Sequence, residues 1–188
     1  MQNEKKYIYL VVSQTGTFLS RILKLITKAE YNHISLGFEK DLKTMYSFGR
    51  KYPYNPITGG FVIESPHFGT FKRFYNTRVA VLQLAVDDET YEGMRQTVET
   101  IKENQKKYHY NYFGLILAGI KIHFKPENCY YCSEFVKYVL QKYKIEGSEK
   151  LAPIIQPVHF LQIPHTNLIY KGRLQDYNED RLSDLVIV

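Results

Sequence analysis

The sequence predicts one domain, residues 1–188, that mixes β-strands with α-helices. Two periodicities lead to this prediction: apolar residues alternate with small or polar ones after His33, and they recur at spacings of three and four after Cys132. A chain of 188 residues can bury roughly 70% of its unfolded surface, so neither a disulfide nor a metal is needed to hold it. No internal repeat or low-complexity tract divides the chain.

Five strands are predicted, each from a short run with many apolar residues. They are Tyr7–Val12, His33–Glu39, Met45–Phe48, Phe61–Glu64 and Arg78–Val86. In the second strand, Ile34 and Leu36 form an apolar face, while Ser35 and Gly37 form a face of small residues behind His33. Small side chains are expected to let a helix approach this strand closely.

Four helices are predicted. An amphipathic pattern predicts the first at residues 18–26, and Asp87 and Asp88 are expected to cap the second, Glu89–Lys107, which ends in lysines as the helix dipole favours. The apolar run at 114–120 is too short to cross a bilayer, which needs about 20 residues, and predicts a buried helix beside the last one. The last helix begins at or next to Cys132, and its apolar stripe consists of Phe135, Val136, Val139, Leu140 and Tyr143.

Two segments are predicted to be irregular or peripheral. Prolines and glycines at 51–60 predict an irregular connection, which is long enough to cover a site as a flap but is by default only a wide loop. After Gly147 the chain carries three further prolines, and Asp184–Val188 is predicted to add an edge strand.

Cys132 is the first candidate functional residue because it lies where a loop becomes a helix. A free thiol is only a few per cent ionised at neutral pH, so a nucleophilic cysteine needs a helix N-terminus, an imidazolium, or both. The unpaired N–H groups of a helix start stabilise an anion by roughly 0.3 to 2 kcal/mol, which supplies only part of this activation. A histidine is therefore expected to supply the rest.

His33 is the best placed of the six histidines, because it opens a strand with small residues on its own face. His67 and His165 lie beside prolines and are expected in surface turns. His109 and His123 lie among lysines and aromatic residues, where a solvated role is expected. Taken alone, His33 could equally be a half-buried strand residue; its partnership with the cysteine makes it a candidate base.

These motifs resemble the circularly permuted branch of the NlpC-type papain-like cysteine hydrolases, a branch that includes relatives of lecithin:retinol acyltransferase. The matching motifs are Tyr-Asn-His-Ile-Ser-Leu at 31–36 and Tyr-Tyr-Cys-Ser-Glu-Phe-Val at 130–136. In that branch the histidine precedes the cysteine, as it does here, and the resemblance extends from the Tyr7 strand through the Cys132 helix. It implies an α+β, circularly permuted papain-like fold in which an antiparallel sheet packs against helices. It also implies a Cys132–His33 pair that cleaves or transfers at an amide or ester carbonyl.

The third member of the catalytic group is expected to accept the second N–H of the imidazole and so hold its tautomer. Glu64 fits best, since an ionised acceptor also stabilises the imidazolium; it could also be an exposed residue at a strand end. Ser47 is the alternative, and it departs from the carboxylate or amide that the family often uses.

The predicted activity is that of a cysteine peptidase or amidase that forms an acyl-thioester on Cys132 and needs no cofactor or metal. A small peptide, such as a cell-wall fragment, and a lipid-like acyl group are both possible substrates, and release to water or to a second acceptor remains open. A non-catalytic binding module with the same fold is a further alternative.

Two other functions of the cysteines remain open. Cys129 and Cys132 have the C-x-x-C spacing of a thioredoxin-type redox pair, although such a pair is expected near the start of a βαβ unit. A structural zinc site would need four ligands, so His123 and another histidine would have to complete it.

Charge and the first residues bear on partners and location. Lysine and arginine number 25 against 19 acidic residues, a net charge of +6 that attracts anionic substrates or surfaces. No nucleic-acid-binding motif is present, so no nucleic-acid partner is predicted.

The polar start Met1–Lys6 does not resemble a secretory signal, which predicts a cytoplasmic protein without stable membrane insertion.

Overall fold

One antiparallel sheet of six strands organises the part of the chain that the structure, a computed structural model, describes: residues 5–15, 30–52 and 55–180. Its spatial order is β4-β3-β2-β1-β5-β8, and each pair of neighbours is antiparallel. The strands are β1 (Lys6–Gln14), β2 (His33–Gly37), β3 (Met45–Tyr52), β4 (Asn55–Glu64), β5 (Arg78–Val86) and β8 (Thr166–Arg173). Two further short strands, β6 (His109–Tyr110) and β7 (Cys129–Tyr130), pair in parallel.

The described residues also form four α-helices: α1 (Gly69–Arg73), α2 (Asp88–Glu103), α3 (Tyr112–Gly119) and α4 (Cys132–Lys142). Short 3₁₀ turns occur at Gln105–Lys107, Ser148–Lys150, Pro157–Gln162 and Leu174–Asp176. The protein is therefore α+β. The helix predicted at 18–26 and the strand predicted at Asp184–Val188 lie outside the described residues.

The central strand β1 is buried on both faces of the sheet. Ile8, Leu10 and Val12 belong to a core shared with α2 and α4, whereas Tyr9 and Val11 belong to a second core on the other face. Because a strand alternates its side chains between the faces, a strand buried on both sides is apolar throughout, as the Tyr7–Val12 run is.

Helix α4 is anchored to the sheet by an aromatic cluster. Phe135 is fully buried, and its ring centroid lies 5.4 Å from that of Phe48 on β3 and 5.9 Å from that of Phe61 on β4. Burying one such side chain stabilises the fold by about 1.5 to 3 kcal/mol. These contacts fix the first residue of α4, Cys132, relative to the strands.

The prediction of an irregular connection at 51–60 is wrong. Strand β3 continues to Tyr52 and β4 begins at Asn55, and these two residues are paired in the ladder. Pro56 is tolerated because β4 is an edge strand, where a missing N–H need not break the sheet. A side-chain carbon at Gly59 would lie 2.8 Å from the Tyr110 ring, so this glycine permits close approach of β6 rather than a turn.

The prediction that 114–120 forms a buried helix is wrong in its burial. Helix α3 exists, and the Asn111 side chain caps it by accepting a hydrogen bond from the Gly114 N–H at 2.9 Å. However, Phe113 is 61% exposed and Ile116 is 69% exposed. The helix packs mainly through Gly114 and Leu115, which leaves the rest of its apolar side chains in contact with solvent.

The boundaries of α2 and β8 show what the sequence pattern missed. The Asp87 side chain caps α2 by accepting from the Thr90 N–H at 2.7 Å, as predicted, but the helix ends at Glu103 and a 3₁₀ turn follows. Strand β8 was not predicted, because it is an edge strand whose side chains are mostly exposed or half-buried.

Within the described ranges, no helix has the length and apolar character needed to traverse a bilayer.

Candidate active site

A cleft lies where the first residue of α4 and the first residue of β2 come together. Its empty volume is about 960 Å³ when counted out to open solvent. The residues that line it include His33, Arg50, Glu64, Tyr110, Leu115 and Cys132. The three residues selected from the sequence as a catalytic group therefore lie in one cleft.

Cys132 is the first residue of α4, and it is 6% exposed and free of any disulfide. Tyr131 precedes it in an extended conformation, with φ −100° and ψ 172°, and so serves as the N-cap residue. The first N–H groups of a helix have no partner within the helix. The thiol thus lies beside backbone donors that stabilise negative charge.

A buried carboxylate holds the start of α4 in place. Glu134 Oε2 accepts hydrogen bonds from the Tyr131 N–H at 3.1 Å and from Asn111 Nδ2 at 3.2 Å. Burial raises the pKa of Glu134, while the hydrogen bonds from Tyr131 and Asn111 oppose that shift. This acceptor ties the residue before Cys132 to the segment that begins α3.

His33 is held by Glu64. Its Nε2 lies 3.0 Å from Oε1 and 3.0 Å from Oε2 of Glu64, and the two side chains are 14% and 11% exposed. The imidazole also packs edge-on against the Phe71 ring of α1, with 6.2 Å between centroids. Since Nε2 is engaged by the carboxylate, Nδ1 is the ring nitrogen left for the thiol.

The electrostatics of the cleft favour the imidazolium. Burial alone would lower the pKa of His33. The charge of the Glu64 carboxylate opposes this effect, as do the hydrogen bond and the charge that Cys132 contributes, and together they raise the pKa of His33 to about 10. His33 therefore carries a proton at neutral pH. An imidazolium between a carboxylate and a thiol is the environment that stabilises a thiolate.

Ser35 is a site residue that the sequence analysis treated only as small. Its hydroxyl donates to Glu64 Oε2 at 2.6 Å, so it orients the carboxylate that holds His33. Its position two residues after His33 places it on the same face of the strand, and this spacing was the available signal. The Ser47 hydroxyl instead donates to the Ile34 carbonyl at 2.7 Å, so it is bound to the backbone of β2.

The expectation that small residues on β2 let the cysteine helix approach is wrong. Ile34 and Leu36, on the apolar face, share a core with Phe135 and Val136 of α4. The face of small residues accommodates Glu64 instead, through Ser35. The thiol meets the imidazole at the ends of the two elements rather than across the strand.

Arg50 is a second residue that the sequence analysis missed, because the predicted strand ended at Phe48. It lines the same cleft, and its Nη2 is buried without a hydrogen-bond partner among the described residues. Its guanidinium lies 5.9 Å from the centroid of the Phe74 ring. Burial, and then the charge of Arg73, lower the pKa of Arg50, although a guanidinium remains protonated at neutral pH.

Cys129 has a different environment from Cys132. It lies in β7, paired with His109, and is a free thiol that does not line the cleft. Burial and the charge of Glu134 raise the pKa of Cys129, which disfavours its thiolate. Within residues 5–15, 30–52 and 55–180, no group of three or more His, Cys, Asp or Glu side chains is arranged to hold a metal ion.

The chain was compared with models of protein families and with curated protein sequences. No family model matches it, and no curated protein matches it. The geometry of the cleft therefore carries the functional argument.

Stability is expected to depend on pH through His33. The folded-state pKa of about 10 exceeds the ordinary value of 6.5, so unfolding releases a proton between these values and stability falls as pH rises through this window. At about 1.4 kcal/mol per pKa unit the loss is on the order of 5 kcal/mol, and it should be absent from His33→Gln. Urea unfolding of both proteins from pH 6 to 10 measures it.

His165→Gln is the matched control for this experiment. His165 Nε2 lies 3.1 Å from Glu146 Oε2, but both side chains are 72% exposed, and exposed pairs contribute little. This control should lose stability with pH as the wild type does. Equal pH dependence of the wild type and His33→Gln would show that the buried pair does not titrate as described.

Proposed function

We propose that this protein is a cysteine hydrolase that cleaves an amide or ester bond through a thioester on Cys132. The fold we propose is the circularly permuted papain-like fold of the NlpC-type hydrolases. The observation that supports the proposal most is the arrangement of three groups in one cleft: both carboxylate oxygens of Glu64 lie 3.0 Å from His33 Nε2, and Cys132 lines the same cleft as these two residues.

In the proposed mechanism the Cys132 proton already lies on His33 before the substrate binds, and the thiolate of this ion pair attacks the carbonyl carbon of the substrate. Backbone N–H groups at the start of α4 stabilise the oxyanion, a contribution of about 3 to 4 kcal/mol per donor in other enzymes. When the tetrahedral intermediate collapses, the imidazolium gives its proton to the leaving amine or alcohol. Water, deprotonated by His33, then attacks the thioester, which releases the acid and restores the thiol.

Glu64 and Ser35 act through His33 in this mechanism. Glu64 accepts from Nε2, which keeps Nδ1 directed to the thiol and stabilises the imidazolium. Ser35 donates to Glu64 and restricts its rotation. They are positioning residues, since neither touches the reacting atoms.

An alternative within the same chemistry is an enzyme that acts on lipid acyl groups. Helix α3 contributes Leu115, Ala118 and Gly119 to the lining of the cleft, while its Phe113 and Ile116 are exposed. An apolar helix beside the cleft suits an acyl chain as well as an apolar peptide side chain. Parallel incubation with fatty-acyl and peptidyl p-nitrophenyl esters, followed by mass spectrometry of the thioester, distinguishes the two.

Glu64→Gln is expected to lower kcat/KM by at least about tenfold, because a neutral amide stabilises the imidazolium less and can donate as well as accept. On the basic side of the pH profile, Glu64→Gln should lose activity at a lower pH than the wild type does, because the pKa of His33 falls when the carboxylate is removed. The exposed Glu146→Gln serves as the control and should behave as the wild type does. Unchanged turnover and an unchanged pH profile in Glu64→Gln would remove Glu64 from the mechanism.

A further inference from the structure

Among the described residues that line the cleft, Arg50 is the only lysine or arginine. Its Nη2 is buried and donates to no acceptor among the described residues, although a guanidinium has five N–H donors to satisfy. A buried charged donor left without an acceptor is unfavourable, and such groups in native structures generally await a ligand, a water or an ion.

Within the described part of the chain, no carboxylate forms an ion pair with the Arg50 guanidinium. The groups whose charges act most strongly on Arg50 are Arg73 and the phenols of Tyr110 and Tyr112. Glu64, which also lines the cleft, is occupied by His33 and Ser35. Arg50 and Arg73 both lie against the Phe74 ring, at 5.9 Å and 5.5 Å from its centroid, and the carboxylate of Glu64 in the cleft is already bound to other residues.

Arg50 lines the same cleft as His33 and Cys132. A substrate whose carbonyl lies at Cys132 would occupy the cleft into which Arg50 brings a positive charge. Arginine binds a carboxylate or a phosphate through two parallel hydrogen bonds, so it selects an oxyanion with a defined geometry.

We propose that Arg50 makes the site selective for acyl substrates that carry an anionic oxygen group, a carboxylate or a phosphate, near the scissile carbonyl. This inference rests on the proposed function and adds the substrate class to it. Arg50 is then a specificity residue that contacts the substrate.

Paired thiol-reactive probes test this without knowledge of the natural substrate. Each is a chloroacetamide that alkylates Cys132 with loss of chloride, and it ends in a carboxylate, a phosphonate or a neutral carboxamide after a spacer of one to three methylenes. Rates are measured in Cys129→Ser by intact mass and peptide mapping. At the best spacer an anionic probe should react about tenfold faster than the carboxamide probe, the effect of one charge-assisted hydrogen bond.

Arg50→Met should abolish this preference, and Arg50→Lys should retain part of it. Arg95→Gln, which removes an equal charge from the exposed face of α2, is the control and should retain all of it. Because the preference is a ratio measured first in the protein with Arg50 intact, a poorly folded Arg50 variant does not prevent the test.

The outcomes separate this inference from the proposed function. Faster reaction of carboxylate probes supports selection of a carboxylate, and faster reaction of phosphonate probes alone supports selection of a phosphate. Equal rates of anionic and neutral probes at every spacer, with Cys132 still more reactive than glutathione, overturn the role of Arg50 but leave the nucleophile intact. If Cys132 reacts with the neutral probes no faster than glutathione, the proposed function fails first.

Discussion

Cys132→Ala is expected to abolish acyl-enzyme formation and to lower turnover of p-nitrophenyl esters by at least about a thousandfold. Removing the nucleophile removes the covalent pathway, and losses of this size or larger follow when a catalytic nucleophile is deleted. The backbone donors at the start of α4 remain, so a low residual rate above that in water is expected. Intact-mass measurement of the thioester and steady-state kinetics report the two effects.

Cys129→Ser is the matched control for this prediction. Cys129 is three residues away, but it lies outside the cleft and its pKa is raised by burial. The hydrolase mechanism uses one thiol, so this variant should keep full activity. Loss of activity in Cys129→Ser with oxidation of the pair would instead favour a dithiol oxidoreductase.

His33→Ala is expected to lower kcat/KM by about a hundred- to ten-thousandfold, the range for loss of a general acid–base group. Added imidazole should restore part of the activity, because the cavity left by the side chain still contains Glu64 to bind and orient the ring. A residue with a purely structural role would not be rescued in this way. Rates measured across a range of imidazole concentrations give the size of the rescue.

His165→Ala is the control, since its side chain is exposed and far from the cleft lining. It should retain wild-type turnover and show no response to imidazole. An inactive His33→Ala that imidazole leaves inactive, but that unfolds like the wild type, would assign His33 to substrate contact rather than to proton transfer.

The strands of the sheet were largely predictable, because periodicity reports burial. Arg78–Val86 was predicted with its observed bounds, and the central strand extends the predicted Tyr7–Val12 run by one residue before and two after. The β3–β4 hairpin was not predictable, since Pro56 and Gly59 indicate a loop unless the segment is known to form the edge of a sheet. Strand β8 is exposed enough to lack a strong pattern.

The site was predictable where a motif marked it and not where only tertiary structure assembles it. His33 and Cys132 could be selected because each opens an element, and the structure places both in one cleft. Glu64 could be chosen over Ser47 only on chemical grounds. The roles of Ser35 and Arg50 depend on which side chains meet across β2, β3 and β4, and no local pattern contains this information.

The most direct test of the central claim is the pH dependence of Cys132 alkylation by iodoacetamide in Cys129→Ser, with and without His33→Gln. If the imidazole and the thiol act as a pair, the protein with His33 should react faster than its His33→Gln counterpart below about pH 10, because the imidazolium persists to about that pH and stabilises the negative sulfur. The His33→Gln protein should react at least about tenfold more slowly at pH 6.5, and its rate should rise only as a free thiol ionises. Identical profiles for the two proteins would contradict the account.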